Sequence, residues 1–131
     1  MIDINDSKKR FEEIDGFIKN NNYKLIDLTD EKCILDGIIT ETSMNPYGIV
    51  HGGYIFGLAD TASGILASLN GPALTVDSSI SYLKPLKTNT VRAIATIDKK
   101  GRTLSVFSVS VYDSKDNLVA KTSNTYFYTK K

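Results

Sequence analysis

Residues 45–71, NPYGIVHGGYIFGLADTASGILASLNG, decide how this chain is read. After the Gly52-Gly53 pair, Leu, Ile and Ala occupy nearly every face that an α-helix would present, and Asn70-Gly71-Pro72 ends the run. A helix is therefore expected from about residue 52 to 69. A helix apolar all round belongs in an enclosure. Asp60 is the one carboxylate inside it, and from Thr42 to Val76 the other ionisable side chains are His51, Tyr47 and Tyr54. A carboxylate buried without partners is costly, so Asp60 is either satisfied by hydrogen bonds or kept for chemistry.

Working outward, DSKKRFEEIDGFIKNNN (6–22) spaces Phe11, Ile14, Phe17 and Ile18 as one amphipathic helix behind an Asp6 or Ser7 cap, ended by the Asn run. The N-terminal helical segment is thus placed over residues 1–22. YKLIDLTDEKCILDGIITE (23–41) reads as two short strands about a TDEK turn. Beyond Pro72 the chain turns to β: ALTVDSSISYLKPL, TVRAIATIDKK, RTLSVFSVSVYDS and NLVAKTSNTYFYT form a four-stranded antiparallel segment over 74–128, broken at KTN, KKG and SKDN. The order predicts an α+β fold, an antiparallel sheet wrapped around one long central helix, as a single domain over 1–131.

Composition narrows the function. With 16 Lys plus Arg against 15 Asp plus Glu, the formal charge is +1, which argues against a general nucleic-acid or acidic-membrane surface. The single cysteine, Cys33, has no intrachain disulfide partner and reads as a small buried hydrophobe. The longest apolar run is too polar for a membrane span, and the N-terminus lacks a secretory apolar segment, so a cytoplasmic protein is expected.

Asn45, Gly48, VHGG at 50–53, LAD at 58–60 with Thr61 and Ala62, TVDSSISYLKPL at 75–86 and KKGR at 99–102 together resemble the hotdog-fold acyl-CoA thioesterases, in particular the branch with the phenylacetate-pathway enzymes. The resemblance implies hydrolysis of a coenzyme A thioester by a homodimer or dimer of dimers, with sites across the subunit interface and no cofactor beyond the coenzyme A of the substrate. It places the oxyanion donor on Gly52 and the base or nucleophile on Asp60, with Asn45 and His51 shaping the loop. Thr75 falls where some relatives hold the attacking water, and Ser78 or Ser79 could serve instead. Gly53, Tyr54, Phe56, Thr61, Ser78, Tyr82, Lys84 and Pro85 are expected to line the substrate site, and Lys100, Gly101 and Arg102, with Lys99, to meet the phosphates.

The chemistry suits these positions. Thioester hydrolysis builds negative charge on the carbonyl oxygen, and a first-turn N–H lacks an intrahelical acceptor, so Gly52 can supply a donor without an intervening side chain. Gly52 and Asp60 are eight residues apart, roughly 12 Å along a helix axis, too far for both to meet one carbonyl. If each has its proposed role, donor and base come from different copies with antiparallel central helices, and a two-fold dimer repeats the pairing twice. Plainer readings stand beside these. His51 caps the helix or holds the loop, Asn45 before Pro46 forms a turn, KKGR is a polar hairpin turn with Gly101 at positive φ, and Ser63 and Thr61 bond back to the preceding turn. Two other functions on the same fold are a non-catalytic acyl-CoA sensor and an enoyl-CoA hydratase or dehydratase, the latter ill served by a lone histidine.

Overall fold

Alternation of small apolar and polar residues builds the sheet. In the computed structural model, which describes residues 2–129, six antiparallel strands run β1 (Tyr23–Leu28), β2 (Lys32–Ile38), β3 (Ala73–Tyr82), β4 (Thr90–Lys99), β5 (Leu104–Asp113) and β6 (Leu118–Tyr128). Met1, Lys130 and Lys131, part of the span expected for the domain, lie outside the described residues. Along β5 every second residue from Ser105 to Asp113 is buried, and β2 buries Cys33, Leu35 and Gly37 in the same rhythm. The buried face receives α3 (Gly52–Ala67), whose Ile55, Leu58, Ala59, Ala62, Ile65 and Leu66 complete the core. A short turn at Ser68–Asn70 and Gly71, at φ 120°, end the helix as the Asn-Gly-Pro signal requires.

Sheet order is β1-β2-β4-β5-β6-β3, so β3 does not form a hairpin with its sequence neighbour. It crosses to the far edge and pairs with β6, from Ala73 opposite Tyr128 to Tyr82 opposite Ala120. The connection back to β4 buries Leu86 and is tied to the loop before α3 by the Val50 N–H, which donates to the Leu86 carbonyl. That tie brings Lys84 and Pro85 beside the start of α3.

Two expectations are corrected. The N-terminal segment is helical but not one regular α-helix: α1 (Ile4–Lys8) widens into a looser turn over Lys9–Ile14, and α2 (Gly16–Asn20) starts afresh. Asp15 is extended (φ −77°, ψ 110°), and its side chain accepts from the Phe17 and Ile18 N–H groups, so it is a second N-cap that resets the helical phase. Asp3, not Asp6 or Ser7, caps α1. With the phase broken, Ile14 and Phe17 are exposed and Ile18 alone of the four apolar positions is fully buried.

The central helix is also not enclosed on every side. The sheet curls around one face, leaving Gly53, Phe56, Gly57, Asp60, Thr61 and Gly64 as a partly open stripe at helical spacing. Asp60 lies on that stripe, half-buried.

Candidate active site

The residues expected to act gather at two places along α3. At its start, His51 is the N-cap: the backbone is extended (φ −61°, ψ 136°) and Nδ1 accepts from the Gly53 N–H at 2.8 Å. Because Nδ1 accepts, the neutral ring carries its proton on Nε2. Asn45 closes the preceding turn, its Oδ1 accepting from the N–H groups of Tyr47 (2.9 Å) and Ile49 (3.1 Å), with Gly48 at φ 74°. Both residues hold the loop, as their plainer readings supposed.

Gly52, the first residue of α3, keeps its N–H without an acceptor among the described residues, while its carbonyl accepts from the Tyr82 hydroxyl at 2.8 Å. A Cβ at Gly52 would lie 3.1 Å from the Tyr82 ring. Gly52, Tyr82, Lys84 and Pro85 line one groove of about 360 Å³ with Ile49, Ile55 and Leu86.

Asp60 lines a separate cavity of about 260 Å³ between α3, β3 and the N-terminal segment, together with Thr61, Thr75, Tyr126 and Asp15. Its Oδ1 accepts from the Thr75 hydroxyl at 2.9 Å and the Tyr126 hydroxyl at 2.6 Å. Oδ2 has no protein partner among the described residues. Thus one carboxylate oxygen is held and the other is free.

Other expected contacts fall elsewhere. Tyr54 is a core residue, not a wall of either cavity: its hydroxyl donates to the Asn21 carbonyl at 2.8 Å and its carbonyl accepts from the Tyr23 hydroxyl at 2.8 Å, which fastens α3 to β1. Helical phase turns it toward the sheet, whereas Phe56 stays on the open stripe. Ser78, on β3, has a buried hydroxyl with no partner among the described residues, and Ser79 is exposed. Lys100 and Arg102 are exposed between β4 and β5, outside both cavities, near the Asp60 end of the sheet, where Ser105, Tyr126 and Thr75 share a rung. Gly101 is not at positive φ; it is required because a Cβ there would lie 2.1 Å from the Leu104 carbonyl oxygen.

Sequence reasoning missed Tyr126 and Asn124. Their signal was the period-two pattern of β6, which turns Ala120, Thr122, Asn124 and Tyr126 to the buried face and so buries three polar side chains. Ser63 does bond back to the Ala59 carbonyl, but it also meets Tyr126 and Asn124. Among the described residues no helix is long and apolar enough to cross a membrane, and no group of three or more His, Cys, Asp or Glu comes together.

A six-stranded antiparallel sheet holding a long helix, with a helical segment before it, is the hotdog arrangement. Residues 47–120 match the Thioesterase superfamily, and the chain belongs to it; it is a hydrolase of that family. Escherichia coli acyl-coenzyme A thioesterase PaaI is 24% identical over 110 residues, covering 82% of this chain and 79% of that protein. The solved structure of the E. coli PaaI protein, from the phenylacetic acid degradation operon, aligns with a TM-score of 0.89 at 21% identity, over 95% of this chain and 92% of that one. The Streptococcus mutans protein smu.793, solved bound to acetyl CoA, is 36% identical with a TM-score of 0.79, over 84% of this chain and 90% of that one.

Proposed function

We propose that the protein hydrolyses acyl-CoA thioesters in a site shared by two copies. The observation that carries this is the separation along α3: Gly52, whose N–H has no acceptor among the described residues, lines one groove, and Asp60, eight residues further on, lines another cavity. In the shared site the thioester carbonyl oxygen accepts from the Gly52 N–H of one copy, and Asp60 of the other copy faces the carbonyl carbon. Water adds to that carbon as Asp60 takes its proton, the C–S bond breaks, and the thiolate leaves to be protonated as free coenzyme A; alternatively Asp60 attacks and water then releases the acid. The donor is worth most where charge develops, on the oxygen of the tetrahedral intermediate.

The edge strand supports the pairing. β3 is ten residues long and unpaired on its outer side, with Leu74 62% and Val76 55% exposed, an open edge that a second copy of β3 would cover. Two-fold pairing there sets the α3 helices antiparallel. The acetyl CoA bound to smu.793 supports an acyl-CoA substrate, and Lys100 and Arg102 are the cations offered to its phosphates. Hydration of an enoyl-CoA gains no support, because His51 Nδ1 is taken by the helix cap.

A thiol-release assay with acetyl-, palmitoyl- and benzoyl-CoA tests the reading. Turnover of at least one ester, lowered about 10²-fold or more in Asp60→Ala, is expected. Stoichiometric binding without thiol release, or near-normal turnover by Asp60→Ala, would overturn it.

A further inference from the structure

We propose that Tyr126 is a positioning residue that clamps Asp60 Oδ1 and leaves Oδ2 as the reacting atom; this rests on the reading of Asp60 as base or nucleophile. The Tyr126 hydroxyl lies 2.6 Å from Oδ1 and 2.5 Å from the Asp60 carbonyl, and 2.8 Å from Ser63 Oγ. Behind it, Asn124 Nδ2 donates to Ser63 Oγ at 2.8 Å and to Thr122 Oγ1 at 3.1 Å. Ser63 and Asn124 are fully buried and Tyr126 is 2% exposed.

The chemistry of these groups favours donation toward Asp60. An amide nitrogen only donates, so Ser63 Oγ accepts from Asn124, and its single proton is shared between the Ala59 carbonyl and the Tyr126 oxygen. Tyr126 has one proton, with the Asp60 carbonyl and Oδ1 both in reach, and the carboxylate oxygen is the stronger acceptor. Burial first, and the charge of Asp60 second, hold the Tyr126 phenol well above its ordinary range, so it remains a donor at every working pH. With Thr75 donating to the same oxygen, the carboxylate cannot rotate without breaking two hydrogen bonds. A carboxylate held by one oxygen presents the other in a fixed place, which a reaction sensitive to small misplacements rewards. The same clamp serves whether Oδ2 takes one proton from water or itself bonds to the acyl carbon.

The test is Tyr126→Phe in the intact, assembled protein, assayed on the ester of the panel that is turned over. Phenylalanine keeps the ring that meets Phe107 edge to face at 5.4 Å, so only the hydroxyl is lost. Loss of one charge-assisted hydrogen bond predicts a kcat lower by about ten- to a hundredfold, with KM within about twofold. If Tyr126 acts through Asp60, the double variant Asp60→Ala/Tyr126→Phe turns over at the rate of Asp60→Ala alone. An unchanged kcat, or the same fold loss on both backgrounds, overturns the proposal. Should Asp60→Ala itself retain normal turnover, the reading of Asp60 fails instead, which separates the two. Ser63→Ala carries the same expectation of a kcat loss that vanishes on the Asp60→Ala background, and decides the matter if Tyr126→Phe does not fold.

Discussion

Replacing Gly52 by proline should remove the oxyanion donor and little else. Gly52 is the first residue of α3, the one helical position where proline is favoured because its N–H has no intrahelical acceptor. His51 before it is extended, the conformation a residue preceding proline adopts. The added bulk meets the Tyr82 ring at 3.1 Å, and Tyr82, 52% exposed, has room to shift. Loss of one preorganised donor costs about 10²–10³ in kcat. Gly52→Ala adds a Cβ at the same place but keeps the N–H, so it should lose less than about tenfold, and the gap between the two variants isolates the donor. Thiol release from acyl-CoA supplies the rate, and circular dichroism melting confirms that both variants fold. A folded Gly52→Pro as active as Gly52→Ala would refute the assignment.

Three further outcomes are expected. Burial pushes the Cys33 thiol up to about 12 and raises the Tyr23, Tyr54 and Tyr126 phenols, so these groups ionise more readily unfolded than folded; their stabilisation is complete below about pH 9 and is lost above it, Cys33 contributing up to ~1.4 kcal/mol per pH unit, and melting temperature against pH should fall from there. Lys100→Glu/Arg102→Glu should raise KM for acyl-CoA about tenfold, less at high salt, with kcat unchanged, as read by steady-state kinetics at two ionic strengths. Tyr54→Phe should lower stability by about 1–2 kcal/mol in urea unfolding while kcat holds, since its hydroxyl serves the Asn21 carbonyl in the core and not the substrate.

Long, uninterrupted patterns were the readable part. The Gly-Gly start and Asn-Gly stop marked α3 within a few residues, the runs of Val, Ile, Thr, Tyr and Phe marked the four strands after Pro72, and bunched apolar residues about a turn marked β1 and β2. Asp15 shows where this ends: an acid inside an apparently continuous amphipathic pattern proved to be a second cap, a choice made by a backbone turn that spacing alone does not reveal. Strand order was likewise hidden, since β3 reaches β6 only through contacts distant in sequence. At the site, Asp60 and Gly52 stood out because each breaks its local pattern. Tyr54 misled because an aromatic beside the motif looks like a substrate wall until helical phase turns it inward. Tyr126 was silent because a tyrosine in a strand is ordinary, and only the fold brings its hydroxyl to Asp60, 66 residues away.

The shared site is tested most directly by mixing two dead variants. Gly52→Pro and Asp60→Ala subunits, co-expressed in equal amount, form half of all dimers as mixed pairs, and each mixed pair contains one site with both groups intact. About a quarter of wild-type turnover per subunit should be recovered from two preparations that are inactive apart. Mixed dimers that form, as seen by differential tags, and remain inactive would contradict it.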